Sequence, residues 1–359
     1  MNALREKIGQ MFLVGCQDES LTRDEQLIFA EYQFGGVILF KRNCAEPAQI
    51  LSLCCSLWES ADETPPFVAI DQEGGRVHRL PQPFTHFPAA AQIGAKGIPA
   101  LAHQLGRITA EELKLAGVNL NFAPVLDVNS NPANPIVGDR AFAADPEQVV
   151  EIASAWAQGL RDGGIIPCGK HFPGHGDADK DSHLELPTVK KSLEELRAVE
   201  LAPFADATRN RIESLMTAHV LYPALDPELP ATLSEPIVTG LLRHQLGYDG
   251  VVFSDDMEMK AMADNYQLEE AAAHAVRAGV DVLLFCHDLA KAIQAFDFLC
   301  NEAQRDPVVR ARVEDSVRRI TELKRRYLKK FTGMAGNEIA ARLAELDHRG
   351  LVSVNFSMG

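Results

Sequence analysis

Eight short apolar runs, each separated from the next by a stretch of helical periodicity, restrict this chain to very few architectures. They are IGQMFLVG (8–15), FGGVILF (34–40), PFVAIDQ (66–72), VNLNFAPV (118–125), IIPCGKHF (165–172), SLMTAHV (214–220), GVVFSDD (250–256) and DVLLFCH (281–287). Between them, segments such as PAQILSLCCSLWESA and LEEAAAHAVRAG repeat their apolar residues at helical spacing. Runs this short and this apolar suit strands buried on both faces. Their alternation with helices predicts an α/β fold, a (β/α)8 TIM-type barrel. A doubly wound open sheet gives the same alternation, since counting strands does not prove closure. Its dinucleotide-binding version lacks support, because no GxGxxG follows an early strand.

The ends of the runs strengthen the barrel. They read Lys41-Arg42-Asn43, Asp71-Gln72-Glu73, Asp127, Lys170-His171, His219, Asp255-Asp256 and His287-Asp288. Strand ends are wet in any fold, but in a barrel they converge on one mouth, where the loops build the site. We expect a single catalytic barrel over residues 1–331, closed by the charged helix RVEDSVRRITELKRRYLKKF. The tail over 332–359 is too short for another domain and is expected to pack on the barrel or stay partly mobile.

Composition excludes some partners. A net charge of −15 argues against nucleic acid and anionic membranes, which favour clustered Lys and Arg. No run reaches the ~20 apolar residues that cross a bilayer. The seven cysteines are odd in number, several lie in apolar runs, and no CxxC occurs. That suits reduced thiols in a cytoplasmic protein better than a disulfide framework. Leu13-Val14-Gly15-Cys16 formally matches a lipoprotein cleavage box. The apolar stretch before it is short and carries Gln10, which favours a strand.

Ionisable groups crowd KHFPGHGDADKDSH (170–183), and three readings stay open for it. His171, His175 and His183, with Asp177, Asp179 or Asp181, offer nitrogen and oxygen ligands for a metal. Against this, H-x3-H-x7-H is not the HExxH spacing, and Pro173, Gly174 and Gly176 oppose helical presentation. Alternatively, Asp181 could orient His183 as a proton carrier on a loop that closes over substrate. The third reading is a solvated Asx-turn with an exposed histidine. In GVVFSDDMEM, strand alternation lets only one of Asp255 and Asp256 face the barrel mouth, while the other could cap the following helix.

Together these stretches resemble family 3 glycoside hydrolases, specifically the β-N-acetylhexosaminidase subgroup. The resemblance is carried by GGVILFKRN (35–43), IDQEGGRVHRL (70–80), NFAPVLDV (121–128), KHFPGHG (170–176), DSHLELP (181–187), TAHVLYP (217–223) and LGYDGVVFSDDMEM (246–259), in the family's order, over about residues 5–330. It implies a (β/α)8 barrel with Asp255 as nucleophile. It implies His183 as general acid/base assisted by Asp181, and contacts to the non-reducing N-acetylglucosamine from Asp71, Arg79, Arg140, Lys170 and His171. The implied reaction is retaining hydrolysis without metal or cofactor, on a small carbohydrate, in cytoplasmic recycling of peptidoglycan fragments. A β-glucosidase of the same family is the nearer alternative. A metal-dependent barrel hydrolase built on His171, His175 and His183, or a silent sugar-binding module, are the others. Where the family usually has a GER-type segment, this chain reads Gly138-Asp139-Arg140, and its VNSNPANPIV loop (128–137) is longer and more polar than in compact members. Many relatives carry a second domain that supplies a glutamate acid/base; resemblance to the hexosaminidases puts the acid on the barrel itself.

Overall fold

A computed structural model describes residues 3–61, 64–178, 186–329, 336–346 and 348–356. Each of the eight apolar runs contains a strand: β1 Phe12–Gly15, β2 Gly36–Leu39, β3 Phe67–Ile70, β4 Leu120–Asn121, β5 Ile166–Phe172, β6 Ser214–Thr217, β7 Val251–Asp256 and β8 Val282–Phe285. Neighbours in sequence pair in parallel, and β1 also pairs with β8, Leu13 opposite Leu284. The sheet is therefore a closed barrel, which removes the open-sheet alternative and leaves no unpaired edge. Helices cover the outside, so the strands are buried on both faces, which is why their sequences run apolar instead of alternating.

Aromatic side chains fill the barrel. Phe253 meets Phe67 and Phe122 edge-on, with ring centroids 5.9 and 5.5 Å apart. Truncating such a ring to alanine costs about 3–5 kcal/mol through lost burial and the cavity left behind. At the N-terminal end of the strands, Lys324 reaches in from the helix Pro307–Tyr327. Its ammonium lies 4.7 Å from the Phe67 ring centroid and donates to Gln10 Oε1 (2.7 Å) and to the Gly35 carbonyl (2.8 Å). Lys324 thereby fills the barrel interior at that end, away from the polar strand ends.

Two runs differ from expectation. In the first, Ile8 and Gly9 end a helix, Ala3–Gly9, and only its second half is strand. In the fourth, the ladder stops after two residues, since Pro124 has no amide hydrogen to continue it. The segment still stays beside β5, whose Cys168 and Lys170 amides donate to the Ala123 and Pro124 carbonyls at 2.9 and 3.2 Å.

The tail forms two helices, Gly336–Leu346 and His348–Asn355. The first buries Ile339 and Leu343 against the helices Pro47–Glu59 and Pro99–Ala116. Among the described residues no helix is long and apolar enough to cross a membrane.

Candidate active site

At the C-terminal ends of the strands lies a cavity of about 390 Å³, within the range of small-molecule sites. Asp71, Arg79, Arg140, Lys170, His171 and Asp255 all line it, so six of the eight expected site residues share one pocket. The other two, Asp181 and His183, lie outside the described residues. His183 is also the third histidine of the metal reading. Among the described residues no group of three or more His, Cys, Asp or Glu stands close enough together to hold a metal ion.

Glu73, which the sequence reading left without a role, organises one wall. It follows β3 and is turned inward by a tight turn in which the Glu73 and Gly74 amides both donate to the Val77 carbonyl, at 3.1 and 3.2 Å. Gly74 has φ +100°, and a Cβ there would sit 2.4 Å from the Pro88 carbonyl oxygen, so only glycine fits. The Glu73 carboxylate accepts from Arg140 Nε and Nη2, both at 2.9 Å, and from Lys170 Nζ at 2.7 Å. Lys170 also donates to Asp71 Oδ1 at 2.7 Å, and Arg79 Nη2 lies 3.5 Å from Asp71 Oδ2. Burial alone would neutralise Glu73; the adjacent Arg140 and Lys170 outweigh it and hold the carboxyl far below its usual range. Burial would likewise lower Lys170, but Asp71 and Glu73 raise it. The wall is therefore an ionised lattice of acceptors and donors held rigid before any ligand arrives, which suits a ring of sugar hydroxyls.

A second missed residue, Asp127, governs the loop after β5. Its Oδ1 accepts from the His171 and His175 amides at 3.1 and 2.7 Å, and its Oδ2 pairs with His171 Nδ1 at 2.7 Å. An ionised carboxylate only accepts, so His171 carries its proton on Nδ1, and Nε2 is the nitrogen not engaged by Asp127. Asp127 is buried, which opposes ionisation, yet His171 and His175 hold it at about 2. Its signal was present in the sequence as a polar strand end, without anything to identify its partner. Farther along the loop, Gly176 passes so close to Val128 that a Cβ would lie 1.6 Å from that carbonyl oxygen. Asn134, from the long 128–137 segment, secures the same turn by donating to the His175 and Gly176 carbonyls at 2.8 and 3.1 Å.

Alternation fails at two places. Lys170 and His171 are consecutive, yet both line the cavity, as expected of them; so do Asp255 and Asp256, of which only one was expected to face the mouth. The register shifts at both positions, between Lys170 and Phe172 on β5 and between Phe253 and Asp256 on β7, and this breaks the period of two. The two aspartates still have different surroundings. Asp256 Oδ1 accepts from the Glu258 amide (3.0 Å) and the Cys286 amide (3.4 Å), while Oδ2 lies 3.4 Å from His287 Nε2. Its hydrogen bond to Asp256 raises the His287 imidazole above its ordinary value, against partial burial. Asp255 Oδ1 accepts from the Asp256 amide at 2.8 Å. His219 Nε2 stands 3.0 Å from the Asp256 carbonyl oxygen and so carries a proton there; its Nδ1 lies 2.8 Å from Thr232 Oγ1. Burial pushes both His219 and His175 down, the latter to about 4, although the charge of Asp255 acts the other way on each.

Comparison with known proteins agrees with the barrel fold. The family described as glycosyl hydrolase family 3 N terminal domain matches residues 3–323. A β-hexosaminidase of Alkalilimnicola ehrlichii is 41% identical over 281 residues, 77% of this chain and 80% of that relative. A family 3 β-N-acetylglucosaminidase structure from Paenibacillus sp. superposes with a TM-score of 0.90 at 38% identity, covering 96% of this chain and 69% of that one. NagZ from Neisseria gonorrhoeae, solved in complex with N-trifluoroacetyl-D-glucosamine, superposes with a TM-score of 0.74 at 33% identity, covering 94% of this chain and 97% of that one.

Proposed function

The chain belongs to glycosyl hydrolase family 3 and is a glycoside hydrolase of the β-N-acetylhexosaminidase type, and from that premise we propose that it releases terminal, non-reducing β-linked N-acetylglucosamine with retention of configuration. The observation that carries this reading is the shared pocket. One closed barrel mouth gathers a carboxylate at the end of β7 with the lattice of Asp71, Glu73, Arg79, Arg140 and Lys170 opposite it.

In the proposed reaction Asp255 attacks the anomeric carbon as the bond to the leaving oxygen breaks, and His183 gives that oxygen its proton. The neutral His183 then takes a proton from water, and the hydroxide formed displaces Asp255 from the sugar. Asp181 orients the imidazole. The choice of Asp255 over Asp256 is supported by what Asp256 already holds: two backbone amides and His287 engage its carboxylate, so it shapes the turn after β7. Neutral after giving up its proton, a histidine acid avoids placing a second anion beside Asp255. His171, Lys170, Asp71, Arg79 and Arg140 are proposed to bind the sugar, with Glu73 and Asp127 holding them in place.

Peptidoglycan fragments in the cytoplasm are the proposed cellular source of the glycoside. Accumulation of N-acetylglucosaminyl anhydro-muropeptides in the cytoplasmic fraction of a deletion strain tests this. For the chemistry, nitrophenol release is measured from the β-N-acetylglucosaminide and the β-glucoside, with and without chelator, by wild type and Asp255→Ala. Selective, chelator-insensitive cleavage that collapses in the variant is expected. A preference for the glucoside would move the enzyme to the other activity of the family, and loss of activity on chelation would restore the metal reading.

A further inference from the structure

The helix His348–Asn355 lies beyond the residues matched by the family, 3–323, yet it is tied to the segment that carries Asp71, Glu73 and Arg79. His348 Nδ1 stands 3.3 Å from Glu112 Oε1, and its Nε2 stands 3.3 Å from Glu111 Oε2. Glu112 is buried, and its carboxylate accepts from the Thr85 amide (2.9 Å) and the Thr85 hydroxyl (2.6 Å). Thr85 belongs to the chain between β3 and the helix Ala90–Lys96. The tail grips the far end of that same segment: Phe356 is buried, with the Lys96 ammonium 5.3 Å from its ring centroid.

From Thr85 a continuous set of contacts runs to the pocket. The next residue, His86, has Nε2 3.0 Å from the Gly75 carbonyl, a pure acceptor, so that nitrogen carries the proton. Its ring stacks on His78 with centroids 4.3 Å apart. His78 Nδ1 lies 2.7 Å from Gln72 Nε2, and Gln72 Oε1 accepts from the Arg79 amide at 2.9 Å. The Arg79 amide can only donate, which fixes the orientation of the Gln72 side chain and makes His78 Nδ1 an acceptor. His78 is therefore neutral, in keeping with burial and then His86 pushing it down to about 4. A loop with two glycines at positive φ has much freedom to lose, and anchoring it before the ligand binds lowers the cost of binding.

We propose that the C-terminal helix His348–Asn355 is a positioning element for the substrate loop, with His348 acting on Arg79 through Glu112 and Thr85. This rests on the reading that Asp71 and Arg79 hold the sugar. The test uses the full chain as wild type, His348→Ala, His348→Gln and, should the alanine variant fail to fold, Thr85→Val. In His348→Ala, KM for the nitrophenyl N-acetylglucosaminide and Kd for N-acetylglucosamine are expected to rise by roughly 3- to 10-fold, the scale of one lost hydrogen bond, with kcat within about 2-fold. His348→Gln, which still offers Glu112 an N–H donor, is expected to restore both constants. Amide exchange over residues 72–86 is expected to quicken in the alanine variant, a readout that holds whether or not the enzyme turns over this substrate. A lower thermal midpoint with unchanged KM, Kd and exchange overturns the proposal and makes the helix a structural strut. Wild type that neither cleaves nor binds the sugar overturns the functional reading instead, and exchange alone then decides the tether.

Discussion

Replacing Glu73 with Gln tests whether the wall of the pocket is held by charge. The wild-type carboxylate takes two bonds from Arg140 at 2.9 Å each and one from Lys170 at 2.7 Å; Glu73 and Lys170 are buried and Arg140 largely so. The glutamine keeps one acceptor, but its NH2 group meets a guanidinium or an ammonium that can only donate. One buried cation loses its counter-ion while Lys170 keeps Asp71. Breaking a buried pair from one side costs about 3–5 kcal/mol. For 359 residues that is ~4–7 °C in thermal midpoint. The pH dependence follows from the sign of the shift. Because folding holds the Glu73 carboxyl far below its unfolded value, its stabilisation is complete above about pH 4.3 and is lost at about 1.4 kcal/mol per unit below it. The assay is calorimetric melting of wild type and variant at neutral pH and about one unit below the ordinary glutamate pKa, where the gap should narrow. Asp249→Asn is the control. Its exposed carboxylate faces Arg318 and Arg319, and its loss should stay within about 0.5 kcal/mol. A Glu73→Gln midpoint no lower than that of the control would refute the reasoning.

Two further outcomes follow from the same physics. Asp127→Asn places an amide opposite His171 Nδ1 and removes the charge that fixes its proton there, so kcat/KM should fall about 10- to 100-fold while far-UV circular dichroism stays unchanged; undiminished kcat/KM would show that the tautomer is immaterial. Burial pushes the Lys324 amine down to about 7, so between pH 7 and about 10.4 the unfolded chain binds more protons than the folded one and stability rises with pH. Lys324→Met should abolish that rise and, allowing for the stranded Gln10 Oε1, gain about 2 kcal/mol at neutral pH in chemical denaturation; a less stable variant would mean the Phe67 face and the two acceptors already compensate the buried charge.

The barrel was legible because its strands are buried on both faces, so that each run stayed apolar whatever its direction, and because the polar strand ends repeat around the mouth. The motifs also brought Asp71, Arg79, Arg140, Lys170, His171 and Asp255 to one pocket. What escaped has local causes. A register shift in β5 and another in β7 turn consecutive side chains to one side, and no period-two pattern predicts where a ladder will slip. Glu73 and Asp127 were visible as polar strand ends, but their importance comes from partners 67 and 44 residues away, a pairing created only when β3, β4 and β5 lie side by side. His348 was less legible still. It stands in a short tail with nothing in its own sequence to mark Glu111, Glu112 and the substrate loop as its neighbours.

The central claim is that Asp255 forms a covalent bond to the sugar. Incubation with a fluorinated N-acetylglucosaminyl fluoride slows release of such an intermediate, and peptide mass mapping then locates the label. One sugar per chain is expected, attached to Asp255 and absent in Asp255→Ala. A label on Asp256 or elsewhere, or active wild type that never takes a label and yields the inverted anomer, would contradict it.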